Sequence, residues 1–359
     1  MSRVVKRIIV TWWTWSDAPS GDVPRALHHK PRGWGLRHES CQLTARPNYG
    51  RDLKLASLYY RALKLSGVNA VARWLSNAGL VLCYHNVVAE TDASAPDTLG
   101  LHMPLASFVR QMRWLARTYQ IVPLAELVSR LCNGGSTRGL AAVTFDDGYC
   151  GVFENAWPVL RDLGIPATAF VIADAPEREE RFWWDEPEVL RAYSPARRQE
   201  WLTTLRGDSV AIGNSLACVA SPPARRQPPA SRRHATWPTI TEAARSGLHL
   251  GVHSATHRAL PVLDQAELQD ELVKSRALIS SRTGVTPEFF AYPYGLWNER
   301  VRNAVQAAGY LAAFTLEFGP HTTTSDPWAL PRMSIPARID DAAFHAWTAG
   351  LNPRRGRAV

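Results

Sequence analysis

Leu140-Ala141-Ala142-Val143-Thr144-Phe145-Asp146-Asp147-Gly148-Tyr149 is the stretch that decides how this chain reads. The apolar run into Thr144 and Phe145 predicts a buried strand, and two adjacent carboxylates leave its C-terminal end beside Gly148, a residue that permits a tight turn. Neighbouring side chains at such a turn point in different directions. One carboxylate is therefore available to bind a cation while the other takes a proton from water, and the nearby cation keeps the second Asp ionised by opposing its protonation. An Asp-Asp-Gly surface turn is written with the same letters, so the weight falls on what the rest of the chain supplies.

Outward from this strand, short apolar runs alternate with amphipathic segments, the pattern of repeated strand–helix units around a parallel sheet. Strands are predicted at Leu80 to Tyr84, Leu140 to Phe145, Ala167 to Ile172, Leu248 to Val252, Phe289 to Tyr292 and Tyr310 to Leu316. The clearest helix runs from Gln265 to Arg282, with Asp264 as N-cap, Glu267 completing a capping box, Leu268, Leu272 and Ile279 inward, and Gly284 ending it. The promising polar groups fall at the C-terminal ends of predicted strands, where parallel α/β sheets and barrels collect their active sites. His253-Ser254-Ala255-Thr256-His257 follows one such strand. Two His four apart on a helical turn share a face and chelate one ion, and the residue after His253 is not Glu, so this is no HExxH protease. With Asp147 they make three hard or borderline ligands, the composition of a catalytic metal site.

The ordered set TFDDGY (144–149), HSATH (253–257) and FAYPYG (290–295) resembles the motifs of the NodB-homology polysaccharide deacetylases, carbohydrate esterase family 4, over roughly Leu80 to Ile335. The resemblance implies a distorted (β/α) barrel, an α/β fold, and a metal-dependent hydrolase acting on N-acetylated sugars. It implies Asp146 as general base, a divalent ion on Asp147, His253 and His257 (zinc first, cobalt or nickel as alternates), and the Tyr294 N–H in oxyanion stabilisation. Two departures stand out. Ala291 occupies the position of the Arg that orients the base in many members, and no Leu-x-His carrying the acid is evident near the chain end. The run Val81-Leu82-Cys83-Tyr84-His85-Asn86-Val87 is similar to the YHxV start of bacterial poly-N-acetylglucosamine deacetylases, which implies His85 as general acid. Arg332 in Leu330-Pro331-Arg332-Met333 is the candidate to replace the missing Arg. The same motifs also fit an O-acetyl esterase acting on an acetylated polysaccharide, and a silent sugar-binding homologue is the rival from another class.

The 359 residues, 46% hydrophobic, suffice for one barrel domain plus extensions. The organisation expected is a poorly ordered leader over 1–50, a helical extension over 51–78, the deacetylase domain over 79–345 with an insertion at 174–237, and a basic tail over 346–359. In the extension, Leu53, Ala56, Tyr60 and Leu63 form a stripe that predicts a helix packed on the barrel. In the insertion, Phe182, Trp183 and Trp184 are expected to cap the domain, and Trp183, Trp184 and Trp297 are candidate sugar platforms. The Pro- and Arg-rich run Cys218 to Trp237 predicts a partly disordered loop, so that excision of Ser221 to Arg233 would leave folding intact. Lys plus Arg exceed Asp plus Glu by 41 to 32, a net charge of +9. That excess makes an anionic membrane surface a reasonable peripheral neighbour, whereas charge alone does not indicate nucleic acid. The partner expected is an acetylated carbohydrate, and the expected state is a monomer. The five cysteines show no metal-ligand spacing and read as reduced core residues.

Overall fold

The computed structural model describes residues 49–351, apart from 94–96, 98, 179–180, 218–228, 320 and 322–324, and the side chains of 49–56. The expected leader therefore lies outside the described residues, as do 352–359. Two helices open the described chain, α1 (Tyr49–Leu65) and α2 (Val68–Leu75), separated where Gly67 takes φ 74°. Tyr60, from the predicted stripe, packs on Ala342, Ala343 and Ala346 and accepts a hydrogen bond from Trp347 Nε1 at 3.0 Å. Those partners sit on α13 (Asp341–Thr348), so the packed chain continues past the expected boundary at 345.

The core is a parallel sheet that curls into a barrel. Its strands are β1 (Leu80–Tyr84), β4 (Gln120–Ile121), β5 (Leu140–Phe145), β6 (Ala167–Val171), β7 (His249–Val252), β8 (Phe289–Ala291), β9 (Ala312–Phe314) and β10 (Met333–Ser334). The order is β10-β1-β5-β6-β7-β8-β9, with β4 paired to the start of β5. A separate parallel pair joins β2 (Asn86–Val88) to β3 (His102–Pro104). The segment Leu330 to Ser334 closes the circle. It bridges Phe314 of β9 at Leu330, then pairs Met333 with Leu82 of β1.

Side chains alternate across each strand. On β5, Ala141, Val143 and Phe145 face the helices, while Leu140 and Ala142 join Val81, Phe170, Ala291, Phe314 and Leu330 in an inner cluster. Counting on by two, Thr144 and Asp146 continue the inward series, and Cys83 and His85 continue that of Val81. The interior is tight enough that a Cβ on Gly251 of β7 would collide with the Phe170 ring, which accounts for the glycine.

Between β6 and β7 the insertion is built of α6 (Pro187–Ala192), α7 (Pro195–Thr203) and α8 (Ser209–Ala217), followed by the crossover helix α9 (Trp237–Arg245). Phe182, Trp183, Trp184 and Trp201 are buried, so the first half caps the barrel. The second half differs from expectation. Residues 218–228 lie outside the described residues, but the chain from Pro229 is packed: Ser231 and Arg232 are buried, and Asn86 Nδ2 donates to Ser231 O at 2.9 Å. Arg233 O accepts from the Cys150 N–H at 2.8 Å, and Arg232 reaches the Asp92 carbonyl at 3.1 Å. Excision through Arg233 would strip these contacts. Composition concealed them because a polar segment can pack through its backbone. The single amide of Asn86 serves both Ser231 O and His102 Nδ1, the latter at 3.0 Å. Asn86→Ala should therefore cost about 1–3 kcal/mol, the penalty for stranding buried polar partners, checked by urea unfolding against wild type.

Candidate active site

The turn after β5 sends its two carboxylates to different partners. Asp147 adopts φ 72°, a left-handed conformation, and its Oδ1 lies 3.4 Å from His253 Nε2 and 3.5 Å from His257 Nε2. The two imidazole Nε2 atoms are 3.1 Å apart, and all three residues are buried. His253 Nδ1 is 2.8 Å from Ala291 O. A carbonyl oxygen only accepts, so Nδ1 carries the proton and Nε2 is left to face the cluster.

Burial disfavours the charged form of both rings, yet they diverge. For His253 the Asp146 and Asp147 charges outweigh burial and raise its pKa. For His257, burial and the neighbouring His253 push it down to about 3. A divalent ion satisfies all three donors at once where a proton serves only part of them, so these residues fit a metal.

Asp146 turns the other way, into the barrel. Arg332 Nη1 and Nη2 donate to its Oδ1 and Oδ2, both at 2.7 Å, and Arg332 Nε donates to Thr315 O at 3.2 Å. The guanidinium is buried over the rings of Phe170 and Phe314, 5.2 and 5.9 Å away. Burial alone would raise the Asp146 pKa; the Arg332 charge outweighs it, helped by His253, and holds the carboxyl well below the usual range. The sequence reading missed Cys83, whose thiol lies 3.3 Å from Asp146 Oδ2. Its position two residues before His85 on an inward-facing series was the available signal.

Cys83, His85 and Asp146 form a second group with donor atoms within 4.8 Å of one another. It suits a metal poorly, because Arg332 already takes both Asp146 oxygens and burial pushes the Cys83 thiol well above its ordinary pKa. Half-buried His85 sits at the mouth of this group, on the barrel-interior side of β1.

The remaining walls come from three loops. Tyr294, at φ 58°, lays its ring against His257 and donates its hydroxyl to His257 O at 2.9 Å. Trp184 packs on His257 with ring centroids 4.5 Å apart, and Trp183 Nε1 donates to Tyr294 OH at 3.2 Å. Asp185 anchors this cap: its Oδ2 accepts from Tyr149 OH at 2.6 Å and its Oδ1 meets His102 Nε2 at 3.0 Å. Trp297 instead stacks on Tyr292 and donates to Glu317 at 3.2 Å.

Buried Glu271 holds the 253–257 loop, accepting from the N–H groups of Ala255 and Thr256 at 2.9 Å each and from the Thr256 hydroxyl. Glu271 also escaped the sequence reading, although it lies three residues after inward-facing Leu268. The helix loosens there into a π turn (Asp270–Lys274), a feature frequent at functional sites.

A curled parallel barrel with carboxylates and imidazoles gathered at its C-terminal strand ends, and a cluster suited to a divalent ion, defines a metal-dependent hydrolase of the α/β class. The chain belongs to the polysaccharide deacetylase family, whose model matches residues 133–313. A Staphylococcus aureus (strain NCTC 8325 / PS 47) poly-beta-1,6-N-acetyl-D-glucosamine N-deacetylase is 23% identical, the match covering 76% of this chain and 83% of that protein. YxkH of Bacillus subtilis (strain 168), whose name assigns it provisionally to polysaccharide deacetylases, is 22% identical over 76% of each chain. The structure of IcaB from Ammonifex degensii shares the fold with a TM-score of 0.54 and 21% identity, covering 76% of this chain and 98% of that one.

Arg332→Gln removes the charge that opposes burial at Asp146, so the Asp146 pKa rises. If Asp146 is the general base, which works only when ionised, the acid limb of the kcat/KM profile should move to higher pH. A pH–rate comparison on folded variant and wild type checks this; an unmoved limb would show that Arg332 does not govern the base.

Proposed function

We propose that this protein hydrolyses the N-acetyl groups of a poly-N-acetylglucosamine, with Asp147, His253 and His257 holding a zinc ion. The observation that carries the reading is the Asp147–His253–His257 cluster beside an Asp146 kept ionised by Arg332. The choice of polymer is supported by the Staphylococcus aureus relative, matched over most of its length. The donor set of two imidazoles and one carboxylate favours zinc, with cobalt or nickel as substitutes.

When bound, the ion supplies Lewis-acid polarisation of the acetyl carbonyl and acidifies water in the site. Asp146 takes the proton from the attacking water, in the fixed orientation that the paired Arg332 bonds impose. The Tyr294 N–H hydrogen-bonds the oxyanion as the carbonyl carbon becomes tetrahedral. Cys83 is a positioning residue, its thiol steadying the oxygen of Asp146 that also faces His253. His85 delivers a proton to the leaving nitrogen, the C–N bond breaks, and free amine and acetate result.

Exposure to a chelator should abolish acetate release from poly-N-acetylglucosamine, and zinc, cobalt or nickel should restore it; His253→Ala and His257→Ala should lose tight metal binding by calorimetry. Full turnover in metal-free protein would refute the mechanism. His85→Ala should keep metal affinity yet lose about 10² to 10⁴ in amide turnover. On an activated acetate ester, whose leaving group needs no proton, the same variant should lose far less, whereas Asp146→Asn should damage both reactions. Equal losses for His85→Ala on amide and ester would reject it as the acid.

A further inference from the structure

Helix α2 is amphipathic in the wrong sense for a helix that merely packs on a barrel. Its polar residues face the protein: Asn69 is buried, and the Arg73 guanidinium lies 5.5 Å over the Trp114 ring. Its apolar residues face out. Val71, Trp74 and Leu75, spaced i, i+3, i+4 on one face, are 56%, 70% and 58% exposed, and Leu65 at the end of α1 is 88% exposed. A soluble surface helix has the opposite arrangement, and a rigid exposed apolar patch marks an interaction site. This one is held in place, since Arg138 bonds the Trp74 carbonyl and stacks on its ring at 5.8 Å.

Charge identifies the occupant. Arg61 and Lys64 on α1 are exposed, Arg73 is turned inward to Trp114, and from Leu53 to Gly79 the chain has neither Asp nor Glu. A second copy docked through this patch would set these cations against their own duplicates. An anionic bilayer meets both features, accepting Trp and Leu side chains at its interface and attracting the surrounding Lys and Arg.

Location fits as well. Helix α2 ends at Leu75, just before β1 begins at Leu80, and Arg138 precedes β5, which begins at Leu140. The patch therefore lies at the N-terminal ends of the strands, opposite the catalytic end, and occupying it leaves the active-site mouth open. We propose that the outer face of α2, with the end of α1, docks the protein on an anionic lipid surface.

The full chain should co-sediment with vesicles of phosphatidylcholine and phosphatidylglycerol, less so as salt rises, and far less with phosphatidylcholine alone. The double variant Trp74→Ser/Leu75→Ser should weaken partitioning about tenfold, as expected for an interfacial anchor stripped of its apolar contacts. Arg61→Glu/Lys64→Glu should do so separately, so a folding failure of one pair leaves the other to decide; thermal melts report folding independently of activity. Val210→Ser, an exposed apolar residue elsewhere, serves as control. Undiminished vesicle binding by both folded double variants would overturn the proposal and assign binding to another part of the chain. Equal affinity for neutral vesicles would overturn it too, as would a wild-type dimer, seen by light scattering, that Trp74→Ser/Leu75→Ser converts to monomer.

Discussion

The buried pair between Arg332 and Asp146 is the constraint on which the rest of the structure depends. Arg332 belongs to the short segment that bridges β9 and β1, so the step that closes the barrel also delivers the cation that orients and ionises Asp146. An unpaired charge at that depth would be expensive, and removing one partner of a buried pair is strongly destabilising. Closure, burial of the guanidinium between Phe170 and Phe314, and alignment of the carboxylate thus stand or fall together. Ala291 on β8 offers Asp146 no charge, and the guanidinium that meets it comes from Arg332, just before β10.

Backbone strain is concentrated in the same place. Among the described non-glycine residues with positive φ, Asp147, Ser254, His257 and Tyr294 belong to the site, and Arg206 is the exception. Left-handed backbone costs of order 1–2 kcal/mol for a residue with a Cβ. It persists where surrounding bonds over-determine it, as Glu271 does for the 253–257 loop. The geometry achieved sends the carboxylates of two consecutive residues to different partners, Asp146 to Arg332 and Asp147 to His253 and His257. The insertion adds a polar tie from Asp185 to His102 and Tyr149, which fixes Trp184 against His257.

The two ends of the barrel carry different chemistry. The strand C-termini gather the titratable groups under an aromatic cap, while near the strand N-termini α2 turns Val71, Trp74 and Leu75 outward. No helix among the described residues is long and apolar enough to cross a membrane, so any lipid contact through α2 is a surface contact.

Much of this was legible in the residues themselves. Apolar runs set six of the strands to within a residue or two, because burial on both faces of a parallel strand leaves few polar letters, whereas β2, β3, β4 and β10, two or three residues long, carry no such run. The capping box at Asp264 and Glu267 is local chemistry and reads directly from its spacing. Asp146, Asp147, His253 and His257 were visible because strand ends collect the polar groups of such folds. Cys83 and Glu271 carried only the weak signal of an inward register, and Asp185 and His102 none, since each acts through a partner distant in sequence. Composition misjudged Pro229 to Arg233 for the related reason that their packing is made by the Ser231 and Arg233 carbonyls, a group every residue has, and by the Ser231 and Arg232 side chains, whose partner Asp92 lies far away in sequence. Sequence by itself determined much of the strand–helix alternation, which rests on short-range periodicity, and singled out the metal-competent residues by side-chain chemistry and place. The helical turn expected at 253–257 is instead a loop in which Ser254 and His257 are left-handed. Only the tertiary structure decided that Arg332 meets Asp146, across 186 residues of chain, because that pairing exists only once the barrel has closed.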